Sequence, residues 1–353
     1  MIDLYTGGAL YPKRKHIFPL LKPFHKVESF SDVDRISLYR ISEKDIQFVS
    51  DIQKAKYVIL PMSWNYYQTE NKMEEAFKII KNAQRFSKTV LSFMIGDFGV
   101  KIPSFQNCLV FRHSGNKSNL SVNHIGLPAF IEDPIKTIFH SDSIKIKSYN
   151  TMPTIGFCGQ ANSSISNASK EIIATIIRNF KTKLGLSSLE PQPLLSTSYL
   201  RASILRIIEN SNSVHSNFIY RNKYRAGATT NALRKKTTQE FYENMRDSDY
   251  VVCVRGAGNF SVRFYETLAM GRIPVFVNTD CLVPLKDVIS WKKHVVWVEY
   301  NDRKHIAARV EAFHQNLTSE EFENLQHQNR KLWKEKLTLG GFFKSYFEHQ
   351  SKD

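Results

Sequence analysis

The sequence predicts an α/β protein of two domains built on mostly parallel sheets, and three observations carry that prediction. At 353 residues the chain exceeds what one hydrophobic core usually supports, so two domains of roughly 150 residues each are expected. Short apolar runs of strand length alternate with segments of helical periodicity, the signature of βα units. In the C-terminal half one such unit, Tyr250–Val277, is spelled out from strand to strand.

Taken in order, Tyr57–Met62 (YVILPM) and Thr89–Ile95 (TVLSFMI) read as strands flanking a helical segment at Glu70–Phe86. A polar stretch, Ser141–Pro153, precedes a new apolar run at Thr154–Cys158 and sets the boundary near residue 150. The expected domains are 1–150 and 151–335, with a helical tail at 336–353 that has the option of packing back on the first domain. Asn162–Ser169 reads as a loop or helix entry, and Ser211–Lys236 as an irregular basic connection. Thr237 and Glu240 have capping-box spacing ahead of FYENM and predict a helix start there.

In Tyr250–Val277, YVVCV reads as a buried strand, RGAGNF as a turn and SVRFYETLAM as a helix. Gly271 suits the left-handed position that ends a helix, and IPVFV resumes as a strand. Val262, Tyr265, Leu268 and Ala269 share one helical face, leaving Arg263 and Glu266 as neighbours on another. Further on, Thr318 and Glu321 have capping-box spacing, and Trp333, Phe342, Phe343, Tyr346 and Phe347 supply apolar anchors for the tail.

A composition of 42% hydrophobic and 23% charged residues belongs to a packed globular protein and excludes a disordered one. The net charge of +16 attracts polyanions, whether nucleic acid, an anionic membrane surface or a phosphorylated small molecule, or else it marks a solvated surface. Cys108, Cys158, Cys253 and Cys281 have neither disulfide-framework nor zinc spacing and read as reduced core residues. The N-terminal residues lack signal-peptide order, and no apolar run approaches the ~20 residues of a membrane span, so a cytoplasmic protein is expected, one whose basic surplus suits peripheral docking on the inner face of an anionic membrane.

Ligands of open α/β sheets bind beyond the carboxyl ends of the strands, where Arg255, Gly256, Ala257 and Gly258 fall. Glycines let a backbone approach a ligand closely, and the helix that follows, opening at Ser261, offers free N–H groups to an anion. Arg255 and Arg263 can donate to phosphate oxygens, and Glu266 can accept from ribose hydroxyls, so together they suit a nucleotide diphosphate. Spacing leaves a second reading equally open: a surface ion pair of Arg263 with Glu266, and glycines that merely turn the chain.

The stretch Phe241–Tyr300 resembles the C-terminal signature of exostosin-like glycosyltransferases. In that family a Tyr-containing helix precedes "S-x-F-C-L-x-P-x-G", then "S-x-R-x-x-E-A", "G-C-I-P-V-I", Asp, "P-F" and "D-W". This chain supplies SDYVVCVRG, SVRFYET, GRIPVFV, Asp280, Pro284 with Leu285, and Ile289–Trp291 in that order. It departs at Val254-Arg255-Gly256, where the family has Pro before Gly, and at Ser290, where Asp precedes Trp. Weaker likeness lies in AKYVILPMSW, the strand end SFMIGDFG and TIGFCGQ.

The resemblance implies a GT-B fold, two Rossmann-like domains facing across a cleft, with the donor nucleotide on the second and the acceptor on the first. It implies an inverting, metal-independent transfer from a nucleotide-diphosphate sugar to a saccharide or lipid-linked acceptor in polysaccharide or glycoconjugate synthesis. No cofactor and no metal are expected, because basic side chains and a helix N-terminus would stabilise the departing diphosphate. Donor contacts then fall to Arg225, Arg255, Gly256, Ser261, Arg263, Glu266 and Asp280.

A direct displacement needs a base across the cleft. Asp97 follows the strand run TVLSFMI between Gly96 and Gly99 and is the first candidate, with an Asx-type turn as its alternative role. His113 and His124, each read as lying in a polar loop, are the other candidate bases. Asp32-Val33-Asp34 and Asp247-Ser248-Asp249 have the DxD spacing of metal-dependent transferases, but neither closes a strand. Basic-aromatic stretches such as Tyr220–Arg225 keep a nucleic-acid-binding module as the non-enzyme alternative, although no nucleic-acid motif accompanies them. A catalytically inactive GT-B partner module is the third.

Overall fold

The computed structural model describes residues 1–25 and 31–351, the side chains of Tyr224 and Arg225 excepted. Its first sheet comprises β1 (Ile2–Thr6), β2 (Ile46–Phe48), β3 (Tyr57–Ile59), β4 (Thr89–Met94), β5 (Cys108–Arg112) and β6 (His124–Gly126). They are ordered β2-β1-β3-β4-β5-β6, with parallel pairings throughout. The accompanying helices are α1 (Asp32–Tyr39), α2 (Trp64–Thr69), α3 (Met73–Arg85) and α4 (Pro134–Thr137).

The second sheet comprises β7 (Thr154–Gln160), β8 (His215–Arg221), β9 (Tyr250–Cys253), β10 (Ile273–Asn278) and β11 (Val296–Glu299), ordered β11-β10-β9-β7-β8 and again parallel. Its helices are α5 (Ile165–Lys183), α6 (Thr197–Glu209), α7 (Asn231–Arg246), α8 (Val262–Ala269), α9 (Ile306–Gln315) and α10 (Ser319–Leu332), and the chain continues into α11 (Leu339–His349). In each sheet the second strand lies on one side of the first and the later strands on the other. A switch point results, at β1/β3 and at β7/β9, the kind of position at which open α/β sheets commonly bind ligands.

Parallel strands covered on both faces need apolar side chains on both, and β9 is accordingly buried along its whole length. Val251 and Cys253 enter a core that continues through the first domain, while Tyr250, Val252 and Val254 enter the core shared with α6 and α9. The first of these cores runs from Leu4 to Phe347. Helix α11 completes it by returning to the first domain, where Phe343 meets Phe18 and Phe111, and Phe347 stacks on Tyr57. Among the described residues, no helix is long and apolar enough to cross a membrane.

Local signals correspond in part. Gly271 adopts φ 67°, Thr318 and Glu321 form a capping box, and all four cysteines are buried and free. Helix α7, however, begins at Asn231 with Thr230 as its cap, so Thr237 and Glu240 lie inside it. The supposed irregular connection Ser211–Lys236 contains β8, an edge strand paired only with β7, whose half-solvated positions leave no apolar run to read. On α8 it is Phe264 that is buried, while Val262, the helix's first residue, is exposed. The DxD triplets have other partners: Asp34 completes the cap of α1, and Asp249 accepts from the Thr154 backbone N–H.

Candidate active site

A cleft of about 710 Å³ opens at the carboxyl ends of β9, β10 and β11. The second domain contributes Pro191–Leu195, Arg255, Asn278–Asp280 and Glu299–Asn301 to its walls, and the first contributes Asn116, Ser118 and Asn119. The cleft therefore lies between the domains.

Arg255, just beyond β9, is 4% exposed and lines this cleft. Its guanidinium reaches only the backbone carbonyls of Gly256 and Ala257, at 3.5 and 3.1 Å, and among the described residues no carboxylate forms an ion pair with it. Burial lowers its pKa, with Cys281 and Asp97 acting in the opposite sense. Arg201 on α6 fixes the Arg255 backbone, donating from Nε and Nη2 to the Arg255 carbonyl (3.2 and 3.0 Å) and from Nη1 to that of Gln160 (3.0 Å). Burial lowers Arg201 to about 10, and Arg263 and Arg255 push the same way. Sequence reasoning missed Arg201, because nothing in the periodicity of α6 marks which arginine turns inward.

The glycine turn serves two ends. A Cβ on Gly256 would meet nothing closer than 3.6 Å, whereas one on Gly258 would lie 2.9 Å from the Asp97 Cα and Oδ1. Gly258 thus permits a close approach of the first domain's loop after β4. Asn259, 1% exposed, anchors the same approach: its backbone N–H donates to the Ser114 hydroxyl (2.8 Å), and its Nδ2 lies 2.8–3.1 Å from the oxygens of Gly115, Asn116, Thr279 and Asp280. Asp97 itself is exposed, at the carboxyl end of the first sheet, and its backbone carbonyl accepts from Ser114. The structure therefore brings Asp97 and the turn Gly256–Asn259 together from opposite domains.

The remaining candidates are spread more widely. Ser261 precedes α8 without a side-chain capping bond. Arg263 is not among the residues lining the cleft: it donates to the carbonyls of Cys158 (2.8 Å) and Val252 (3.4 Å) and stacks on Phe157, pinning β7 to β9 at the switch point. Burial lowers its pKa. Glu266, also outside the cleft lining, accepts from the Tyr242 hydroxyl at 3.0 Å.

Asp280 does line the cleft, but at φ 64° its carboxylate accepts from the Ser118 N–H and hydroxyl across the domain boundary. The side chain of Arg225 lies outside the described residues. Trp291 of the ISW segment is a core residue, bonded to the Pro284 carbonyl and packed on Phe264.

The polar-loop expectation holds for His113 and fails for His124. His113 follows β5 and is wedged between Phe93 and Phe260, with Nδ1 donating to the Leu127 carbonyl at 3.0 Å. His124 opens β6 beside Arg112. Burial lowers both to about 4, leaving them poor proton acceptors at neutral pH. The sequence missed the setting of His124 because β6 is only three residues long and is preceded by polar residues.

Two doubly wound parallel domains enclosing a cleft at their carboxyl ends define a protein of the GT-B class. The family model of the Exostosin GT47 domain matches residues 135–313, just over half of the chain, which therefore belongs to the exostosin GT47 family of glycosyltransferases. The chain is 36% identical over 62 residues to "Probable glucuronosyltransferase 47 A" of Physcomitrium patens, a match covering 18% of this chain and 14% of that one. A probable glucuronosyltransferase of Oryza sativa subsp. japonica is 34% identical over 62 residues, again covering 18% and 14%. The chain thus spans about a seventh of the length of these curated relatives. Among solved structures, the crystal structure of TarM aligns with 77% of this chain and 52% of its own, at 10% identity and a TM-score of 0.36.

Proposed function

We propose that the cleft binds a nucleotide-diphosphate sugar and that the enzyme transfers its sugar to a hydroxyl of a saccharide or lipid-linked acceptor. The observation that carries this reading is Arg255, a buried cation in the cleft wall whose own hydrogen bonds end on carbonyls. A buried charge without an ion-pair partner in contact is costly, and a diphosphate would relieve that cost while satisfying the guanidinium. The uncapped start of α8 adds partial positive charge on the same turn.

In this reading Arg201 and Arg263 act as positioning residues that hold the strand ends, and Glu266, outside the cleft lining and held by Tyr242, is given no contact with the donor. Asp97 takes the proton of the acceptor hydroxyl as that oxygen bonds to the anomeric carbon, and the bond to the diphosphate breaks on the opposite side, inverting configuration. Charge on the leaving group is met by guanidinium and backbone N–H groups, so no metal is assigned a role.

A thermal-shift panel of UDP, GDP, CMP and their sugars tests the assignment, with UDP-glucuronic acid first because of the relatives' names. One nucleotide diphosphate should raise the melting temperature of the wild type and not of Arg255→Ala. A panel without any response, together with no sugar transfer, would overturn it.

A further inference from the structure

Helix α5 carries its side chains in the reverse of the usual order for a helix packed on a protein. The positions buried against the domain are Ala168, Thr175 and Thr182, spaced i, i+7, i+14. Five of its six long apolar side chains face outward, Ile172 being partly buried: Ile165, Ile173, Ile176, Ile177 and Phe180 are 48% to 73% exposed. At roughly 100° per residue they fall within one arc of about 120°. The apolar surface continues through exposed Leu184 and Leu186 beyond the helix and reaches Leu194 at the rim of the cleft. Paired hydrogen bonds between Asn179 and Gln192 hold that rim to the helix.

Charge decides what such a face suits. Lys170, Lys181 and Lys183 are exposed around the stripe, while the helix's one carboxylate, Glu171, is turned toward the hydroxyls of Ser196 and Ser198. A second copy of the chain would set these lysines against one another. An anionic bilayer would instead accept the isoleucines and Phe180 at the headgroup boundary and offer phosphates to the lysines.

We propose that α5 docks the protein on an anionic lipid bilayer. This deepens the transferase reading and rests on it for its purpose. Arg178 of α5 stacks on Phe98, and Lys101 donates to the Thr182 carbonyl, so the docked helix lies beside the Asp97 loop, where a lipid-carried acceptor would arrive.

The test is co-sedimentation of the full chain with vesicles of phosphatidylcholine alone or mixed with phosphatidylglycerol, alongside light scattering for oligomeric state. The anionic vesicles should be bound and the neutral ones not. Ile176→Asp with Phe180→Asp should lower vesicle affinity by roughly tenfold or more, and Lys181→Glu with Lys183→Glu should lower it in a salt-dependent manner. Equal sedimentation with both vesicles or with neither, or undiminished binding by both double variants, overturns the proposal. So does a wild-type dimer that ignores vesicles and is split by the aspartate pair. Nucleotide-sugar binding is scored separately: if it persists without vesicle binding, only the docking fails. Vesicle binding with neither a nucleotide response nor sugar transfer supports docking and removes the transferase reading alone.

Discussion

Arg112 of the first domain and Glu190 of the second form a two-pronged ion pair, with Nη1–Oε1 at 2.8 Å and Nη2–Oε2 at 2.5 Å. Gly99 lies against it, and a side chain there would collide with both partners. The neighbouring backbones are joined as well, since the Glu190 N–H donates to Gly99 and the Lys101 N–H to Ser188. Removing Glu190's charge would strand a buried guanidinium. Glu190→Gln is therefore expected to destabilise the fold by about 2 kcal/mol, below the value for a fully buried pair because Glu190 retains some solvent. Urea unfolding midpoints check this.

The two glycines of the turn should respond differently. Gly258→Ala places a methyl against the Asp97 backbone and should lower both stability and transfer rate, whereas Gly256→Ala has room and should be tolerated. Equal behaviour of the two variants in melting temperature and turnover would argue against the close approach.

Arg255→Ala should weaken binding of the nucleotide diphosphate by about 10- to 100-fold, the worth of one or two hydrogen bonds to a charged group. Calorimetric titration measures it, and unchanged affinity would place the diphosphate elsewhere.

Asp97→Asn should leave donor affinity intact and reduce kcat by at least ~100-fold, the usual contribution of a positioned general base. Undiminished turnover would remove Asp97 from that role.

His113 has a pH signature. Its folded pKa of about 4 lies below the ordinary value of 6.5, so the unfolded chain binds its proton first. The stabilisation is fully present above pH 6.5 and is lost as pH falls toward 4, by on the order of 3 kcal/mol. His124, shifted the same way, adds to the loss. Urea midpoints from pH 7 to pH 4 should fall faster for the wild type than for His113→Gln, and parallel profiles would contradict a neutral, buried imidazole.

How much was legible depended on the range of the interaction concerned. The unit Tyr250–Val277 was readable because burial on both faces of a parallel strand forces consecutive apolar residues, and because a left-handed helix end selects glycine at 271. Strand β8 was not, because at a sheet edge side-chain polarity is set by solvent, which a window of sequence does not reveal. Thr237 and Glu240 misled because capping-box spacing also occurs inside helices, while the cap of α7 is Thr230, which accepts from the Leu233 N–H two turns earlier.

Sequence alone determined the alternation of strands and helices, the glycine turn after β9 and the presence of arginines near it, because each follows from backbone geometry over a few residues. Tertiary structure decided which arginine faces the cleft. Arg255 and Arg263 are eight positions apart and chemically identical, yet one ends in the cleft wall and the other on the carbonyls of β7 and β9. The same packing set Asp97 against Gly258 and turned most of the isoleucines of α5 outward. Such outcomes depend on which surfaces meet when two sheets close on one another, a long-range fact that no local pattern encodes.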